Sequence, residues 1–324
     1  MNIRAKGRDI WEILVNSFNG FLDHKVTKLS GSLAYSTIFS MGPLLVVIIS
    51  LCGLFLGRDA AQDKVYQTLE GFLGSNAATE LQDIIKKAAI SGNSGIAVVI
   101  GGIALVIGAT SIFSEIQDSV NDIWGIKPKP KKGWVKMLRN RFLSFSVIVG
   151  LGFLLLVSLA LTSLIDGFSQ KLQTYFANST VVIFYIINQA LTVTVVALTF
   201  AAIFKVLPDA NIKWKDVVVG SLVTMFLFMV GKTAISVYIS KSNVGSTYGA
   251  MGSLVILLLW VYYSSIILYF GAEFTKAYAV KYGDEIKPNA YAVTMQQVEV
   301  ETGKASIREK ENMVQPDVVA KAKK

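Results

Sequence analysis

Few side chains in this sequence could do chemistry, and their spacing narrows what that chemistry is. Glu115, Asp118 and Asp122 stand at i, i+3 and i+7, which sets three carboxylates on one face of a helix. Such a face could take a cation or a proton at a membrane border, or it could pair with the basic run that follows. Lys232 follows Gly231 inside a long apolar stretch, and Asp166 is the acid placed to meet it if their helices touch. That lysine reads either as half of an ion pair fixing a bundle or as a contact to an anionic substrate or ion. Asn188 and Gln189 could hydrogen-bond between helices. Pro43 removes a backbone donor and bends whatever helix contains it.

The residue types also exclude. His24 is the only histidine, so no site can use two imidazoles, and Cys52 is the only cysteine, so no intrachain disulfide is possible. Metal-dependent nucleases need clusters of His and Asp, and metal-free ones commonly need an acid–base pair that includes His. The basic run 127–141 lacks the repeated aromatic interleaving on which bases stack. Gly231-Lys232-Thr233 lacks the upstream glycine of a phosphate-binding loop. The expectation is a protein that is not an enzyme, with no cofactor, no metal and no nucleic-acid partner.

The elements that must hold these residues are apolar and long. The chain has 324 residues, 53% hydrophobic and 16% charged, with a mean hydropathy of +0.53. Residues 31–56 carry no charge, against about 20 residues needed to cross a hydrocarbon core of roughly 30 Å. Ser32, Ser36, Thr37 and Ser40 precede Pro43 in that stretch and can satisfy the carbonyl that the proline frees. Further spans are expected at about 95–113, 142–165, 180–204, 216–240 and 250–272, the second rich in glycines that permit close packing. The fold class is therefore an all-α polytopic membrane protein with six transmembrane helices and amphipathic interfacial helices.

Residues 1–30 form a cytoplasmic amphipathic segment without the apolar region of a cleavable signal peptide. Ile10, Trp11, Leu14, Val15, Phe18, Phe21 and Leu22 make a one-sided stripe there. It suits either a helix lying in the membrane interface or one packed beneath the bundle. Residues 57–94 read as outer amphipathic helices, 31–274 as the membrane domain, and 275–324 as a polar, mobile cytoplasmic tail. Of 31 Lys and Arg, 24 fall in 1–30, 127–141, 205–215 and 273–324, and only six in the loops of the opposite side. The positive-inside bias thus puts both termini in the cytoplasm, and the basic loops make anionic lipid headgroups the expected partner. No oligomeric state follows from the sequence.

These segments carry a recognisable set of motifs. They are Leu33-Ala34-Tyr35-Ser36-Thr37-Ile38-Phe39-Ser40-Met41-Gly42-Pro43-Leu44, Asn121-Asp122-Ile123-Trp124, and Val206-Leu207-Pro208-Asp209 with Trp214-Lys215-Asp216 and Gly220. Tyr248-Gly249-Ala250-Met251-Gly252, Leu259-Trp260 and Gly271-Ala272-Glu273 complete the set. In this the chain resembles the YihY/BrkB family of bacterial inner-membrane proteins (virulence factor BrkB, once called ribonuclease BN) over roughly residues 10–285. Ser36 stands where a second aromatic is usual. The resemblance implies six spans and an all-helical membrane protein, and it names no reaction.

The reading that follows is a transporter or flippase-like protein of the bacterial cytoplasmic (inner) membrane, for a lipidic or amphipathic substrate. The alternative is a non-transporting structural or envelope-organising protein, and a ribonuclease comes last. Glu273 reads as an interface carboxylate at the end of the sixth span. Reporter fusions after residues 126 and 324 should report the cytoplasm and one after residue 75 the outside; inverted signals would overturn the charge argument.

Overall fold

A computed structural model describes residues 3–40, 111–129, 179–242, 247–248, 252–283, 286–289 and 291–295. Residues up to Thr294 form one compact unit, and Met295–Lys324 form another. In chain order the described elements are α1 (Ile3–Asp23), α2 (26–40), α3 (111–123), β1 (Ile126–Pro128) and α4 (Ser179–Val206). There follow β2 (Ala210–Asn211), α5 (Trp214–Lys241), α6 (Gly252–Tyr282), β3 (Lys287–Pro288) and β4 (Ala292–Thr294).

Among the described residues three helices contain stretches long and apolar enough to cross a membrane: Gln189–Val206 in α4, Trp214–Ile235 in α5 and Leu254–Tyr282 in α6. They match the fourth, fifth and sixth expected spans. The three helices have 28, 28 and 31 residues, so at 1.5 Å per residue they are about 42–47 Å long. That exceeds a hydrocarbon core of roughly 30 Å, and their ends must reach the headgroup zone or the helices must tilt. Residues 31–40 and 111–113 of the first two expected spans are helical. The rest of those spans, the third at 142–165 and the outer segment 57–94 lie outside the described residues.

Hydroxyls on these helices bond to the carbonyl one turn back, so they need no outside partner in lipid. Thr199 donates to Val195 at 2.9 Å, Ser264 to Trp260 at 2.9 Å and Ser265 to Val261 at 2.7 Å. The antiparallel α5–α6 pair uses the same device reciprocally. Thr224 donates to the Gly220 carbonyl at 2.7 Å, and Thr275 to the Gly271 carbonyl at 2.6 Å. Each threonine side chain then rests on the other helix's glycine: a Cβ at Gly220 would collide with Thr275, and one at Gly271 with Thr224. Further along, Gly231 receives Tyr263 and Ile267 in the same way. Phe228 of α5 joins the layers, 5.8 Å edge-on from Phe200 of α4 and 6.1 Å from Trp260 of α6.

The best-buried part of the described structure lies at one end of these helices. Val120, Ile123 and Trp124 of the α3 end meet Phe204 and Leu207 from the end of α4, Val217 of α5, and Leu268, Tyr269 and Ala272 of α6. Two strand pairs close this end. β1 runs antiparallel to β4 with Ile126 opposite Thr294, and β2 antiparallel to β3 with Ala210 opposite Pro288. α6 therefore continues beyond the expected boundary at 274, and residues 286–289 and 291–294 are stitched to the loops after α3 and α4. Hydropathy marks the polarity of that segment, but its backbone finds strand partners more than 70 residues away. Residues 296–324 lie outside the described residues.

α1 turns into α2 through His24 and Lys25, the latter at φ 51°, a left-handed conformation that a side chain disfavours. α1 then runs back along the last turns of α6. Phe21 lies 6.2 Å from Phe270, Lys281 bonds Glu12 at 2.6 Å, and Tyr282 bonds Asp9 at 3.0 Å. α1 is packed on the bundle along one face, and its other apolar face is exposed. Ile13, Ser17 and Gly20 face the bundle, while Ile10, Trp11, Leu14, Val15, Phe18 and Leu22 remain exposed.

Replacing Gly271 by Val should wedge Thr224 away and cost about 1–3 kcal/mol by overpacking, seen as a lower Tm in detergent. Combining Gly271→Ala with Thr224→Ala should recover part of the loss that Gly271→Ala causes alone. A Gly271→Val protein as stable as the parent would show that α5 and α6 are not held this closely.

Candidate functional site

The end of the bundle that the strands close also collects the buried polar groups. α3 supplies them because its two faces differ in kind. Its inward face carries Gln117, Ser119 and Asn121 among Ile116, Val120 and Ile123, whereas Asp118 and Asp122 point outward and Glu115 is half-buried. The carboxylates that share a face in the sequence thus lie toward the outside, and neutral amides one turn apart enter the core. Asp118 has a polar contact of its own there.

Those amides converge on Asp209, which is 1% exposed. Gln117 donates to Oδ1 at 3.2 Å and Asn121 to Oδ2 at 3.1 Å. Asn121 also accepts the Asp209 backbone N–H at 2.8 Å, so a single amide grips both the side chain and the main chain of that residue. The Asp209 carbonyl in turn accepts from the Asn289 backbone at 3.0 Å. One carboxylate thus ties α3, the loop after α4 and the segment ahead of β4. Among the described residues no cation meets it. Pro208, buried beside it, fixes the backbone that presents it.

A second buried carboxylate, Glu273, is 2% exposed. The sequence suggests an interface acid, but α1 covers it. His24 Nδ1 lies 2.6 Å from Glu273 Oε1 and 2.9 Å from the Gly20 carbonyl. The other carboxylate oxygen packs on Gly20, where a Cβ would collide with it. The bond to Glu273 raises the His24 pKa above its ordinary value of 6.5; burial and the nearby Lys276 ammonium oppose the rise, and the Glu273 charge adds to it.

Around this pair α6 makes two crossing contacts to α3. Trp124 Nε1 donates to the Ala272 carbonyl at 3.1 Å, and Lys276 Nζ to the Ile123 carbonyl at 2.6 Å, where it meets the helix's negative end. The fully buried Tyr269 hydroxyl has Ser119 as a polar neighbour, whereas Asp216 Oδ2, buried in the first turn of α5 beside Gly283, finds no hydrogen-bond partner among the described residues. Lys205 bonds the Ile212 carbonyl and lies 5.6 Å above the exposed Trp214 ring.

Other residues singled out in the sequence fall elsewhere. Lys232 is half-buried mid-way along α5 and makes a polar contact, while Asp166 and Pro43 lie outside the described residues. Gln189 is exposed on α4; Asn188 is in the same helix, its side chain outside the described residues. Tyr35 lies against Phe39, ring centres 4.6 Å apart and tilted by 47°, Tyr248 is exposed, Gly249 lies outside the described residues, and Gly252 opens α6. Spacing alone did not single out His24, Gln117, Asn121, Asp209 or Tyr269 as a site. The available signal is the pair of amides at i and i+4 on an otherwise apolar helix face.

Apolar spans and a helical bundle define an integral membrane protein. The chain matches the virulence factor BrkB family over residues 17–294 and belongs to that family; the match ends where β4 ends. Similar proteins include a UPF0761 membrane protein of Alteromonas mediterranea, 25% identical over 278 residues, which cover 85% of this chain and 89% of that one. Another, from Aeromonas salmonicida, is 29% identical over 265 residues, covering 79% and 84%. No solved structure matches the chain.

Asn121→Ala should strand the Asp209 backbone N–H and one carboxylate oxygen in the core, costing about 1–3 kcal/mol per unpaired group. Asn121→Asp should be worse near neutral pH than at about pH 4, because two ionised carboxylates would then face each other. Thermal unfolding of both variants at two pH values checks this; equal stability of Asn121→Ala and parent would make the clasp dispensable.

Proposed function

We propose that this protein is a transporter or flippase-like protein of the bacterial inner membrane, with both termini cytoplasmic and a lipidic or amphipathic substrate. The observation that carries the reading is the burial of two carboxylates, Asp209 and Glu273, at 1% and 2% exposure against apolar helices. A plain anchor has no use for groups so costly to desolvate. Glu273 is partnered by an imidazole, the side chain whose charge changes near physiological pH. A lipidic cargo is favoured over a small hydrophilic one because α1 sets an apolar face at the same end of the bundle. The loops at this end are those richest in Lys and Arg, which suits an anionic headgroup and a cytoplasmic position.

Vesicles of phosphatidylethanolamine and phosphatidylglycerol, carrying the purified protein and a trace of tail-labelled fluorescent phosphatidylglycerol, test the reading. Dithionite bleaches only outer-leaflet label, so translocation should extend bleaching beyond that fraction, faster under a pH gradient. Glu273→Gln, which removes the charge but keeps an oxygen to accept from His24, should slow it without loss of the folded protein. Bleaching that stops at the outer leaflet, with folded protein and with or without a gradient, would remove lipid translocation and favour an envelope-organising role.

A further inference from the structure

His24 is placed to do more than fill space at the α1–α2 turn. Its Nδ1 faces two oxygens, the Gly20 carbonyl at 2.9 Å and Glu273 Oε1 at 2.6 Å. A carbonyl oxygen cannot donate, so Nδ1 carries the hydrogen and Glu273 accepts it. The second proton of the ring therefore comes and goes at Nε2. The His24 side chain is 23% exposed and that of Glu273 3%, so protons reach the pair through the imidazole. From α6 the ring is faced by Glu273 and Lys276; along its own chain Asp23, Lys25 and Lys28 are the charged neighbours.

Among the described residues the other polar ties between α1 and α6 are weak ones, beside the apolar contact of Phe21 with Phe270. Lys281 with Glu12 and Asp9, and Tyr282 with Asp9, are exposed contacts near the helix ends, of the kind that contributes little. At the turn, a buried carboxylate closes on the imidazole and on the bare backbone of Gly20. α1 also has somewhere else to go. Ile10, Trp11, Leu14, Val15, Phe18 and Leu22 form an uncovered apolar face beside a polar one, the pattern of a helix that lies on a bilayer surface.

We propose that His24 and Glu273 form a proton-operated latch: protonated His24 pairs with Glu273 and clamps α1 to α6, and deprotonation frees α1 to lie on the membrane surface. This goes beyond the transport reading and does not depend on it. The direction follows from the raised His24 pKa. The contribution of the pair is complete below 6.5, the ordinary value, and is lost as pH rises through the higher folded value. The latch is thus closed at acidic pH and opens on the alkaline side.

Because the chain has a single histidine, protein labelled with ¹⁵N only in histidine reports His24 without assignment. In full-length protein in phosphatidylethanolamine–phosphatidylglycerol vesicles, the His24 titration midpoint should lie above 6.5 and move back toward it in Glu273→Gln. Spin labels at the exposed positions Asn16 and Val280, in a Cys52→Ala background, should give one narrow distance when His24 is protonated. A longer, broader population should grow through the same midpoint. His24→Gln keeps an amide donor but cannot titrate, so its distances should not change with pH. A midpoint at or below the ordinary value, a parent distance indifferent to pH, or a His24→Gln protein that keeps the pH response would each overturn the latch. The His24→Gln measurement decides the matter if Glu273→Gln does not fold.

Discussion

Apolar helices gain nothing by hiding from lipid tails as apolar as themselves, so what joins them in a bilayer is closeness, in dispersion contacts that need bare backbone. The α5–α6 seam supplies it twice over, with Gly220 under Thr275 and Gly271 under Thr224. Each threonine also satisfies its hydroxyl on its own helix, so the contact leaves no polar group facing lipid. The consequences reach well beyond the seam. With α6 held against α5, the Ala272 carbonyl is within reach of the Trp124 indole, and Glu273 faces the turn that carries His24. Loosening those glycine contacts would therefore disturb the polar groups before it disturbed the apolar ones.

The two buried carboxylates on this frame are solved by different chemistry. Asp209 is met by the side-chain amides of Gln117 and Asn121, which neither gain nor lose protons over the physiological range. Its role is accordingly fixed, holding three chain segments together through both side chain and backbone. Glu273 is met by an imidazole, whose charge depends on pH, and the element it holds has a second apolar face of its own. The structure thus pairs a permanent fastening, at the loop after α4, with a conditional one, two residues from Gly271 of the α5–α6 seam.

The sequence made the spans legible because a bilayer imposes a simple length requirement on apolar runs. Residues 180–204 and 216–240 sit inside α4 and α5, and 252–272 inside α6. The boundary at 274 was less legible, since Glu273 reads as an interface carboxylate when it is in fact matched across the fold, as is Lys276 beyond it. Spacing put Glu115, Asp118 and Asp122 on one face correctly but could not say which way that face points. A charged residue draws the eye in an apolar sequence, yet the side chains that enter the core are amides, which desolvate more cheaply. The Asp209 clasp joins residues 88 positions apart, and the His24–Glu273 contact spans 249. No local pattern encodes separations of that size. The motif Asn121-Asp122-Ile123-Trp124 and the motif ending in Asp209 mark their positions without showing that they touch.

Where the fastenings lie bears on how such a bundle could move. The ends of α3, α4 and α6 are tied at one level, through Asp209, Trp124, Lys276 and the two strand pairs, and α1 crosses the same level. A bundle joined this way at one end is stiff there, so relative motion of its helices is a pivot about that end rather than a slide along their axes. Pivoting changes the separation of the helices most at the far end and least at the tied one. α1 is the exception, because among the described residues its polar contacts with α6 are one conditional pair and a few exposed ones, beside the apolar contact of Phe21 with Phe270. In the proposed latch it is the element at the tied end that leaves, and its exposed apolar face gives it a place on the bilayer when it does.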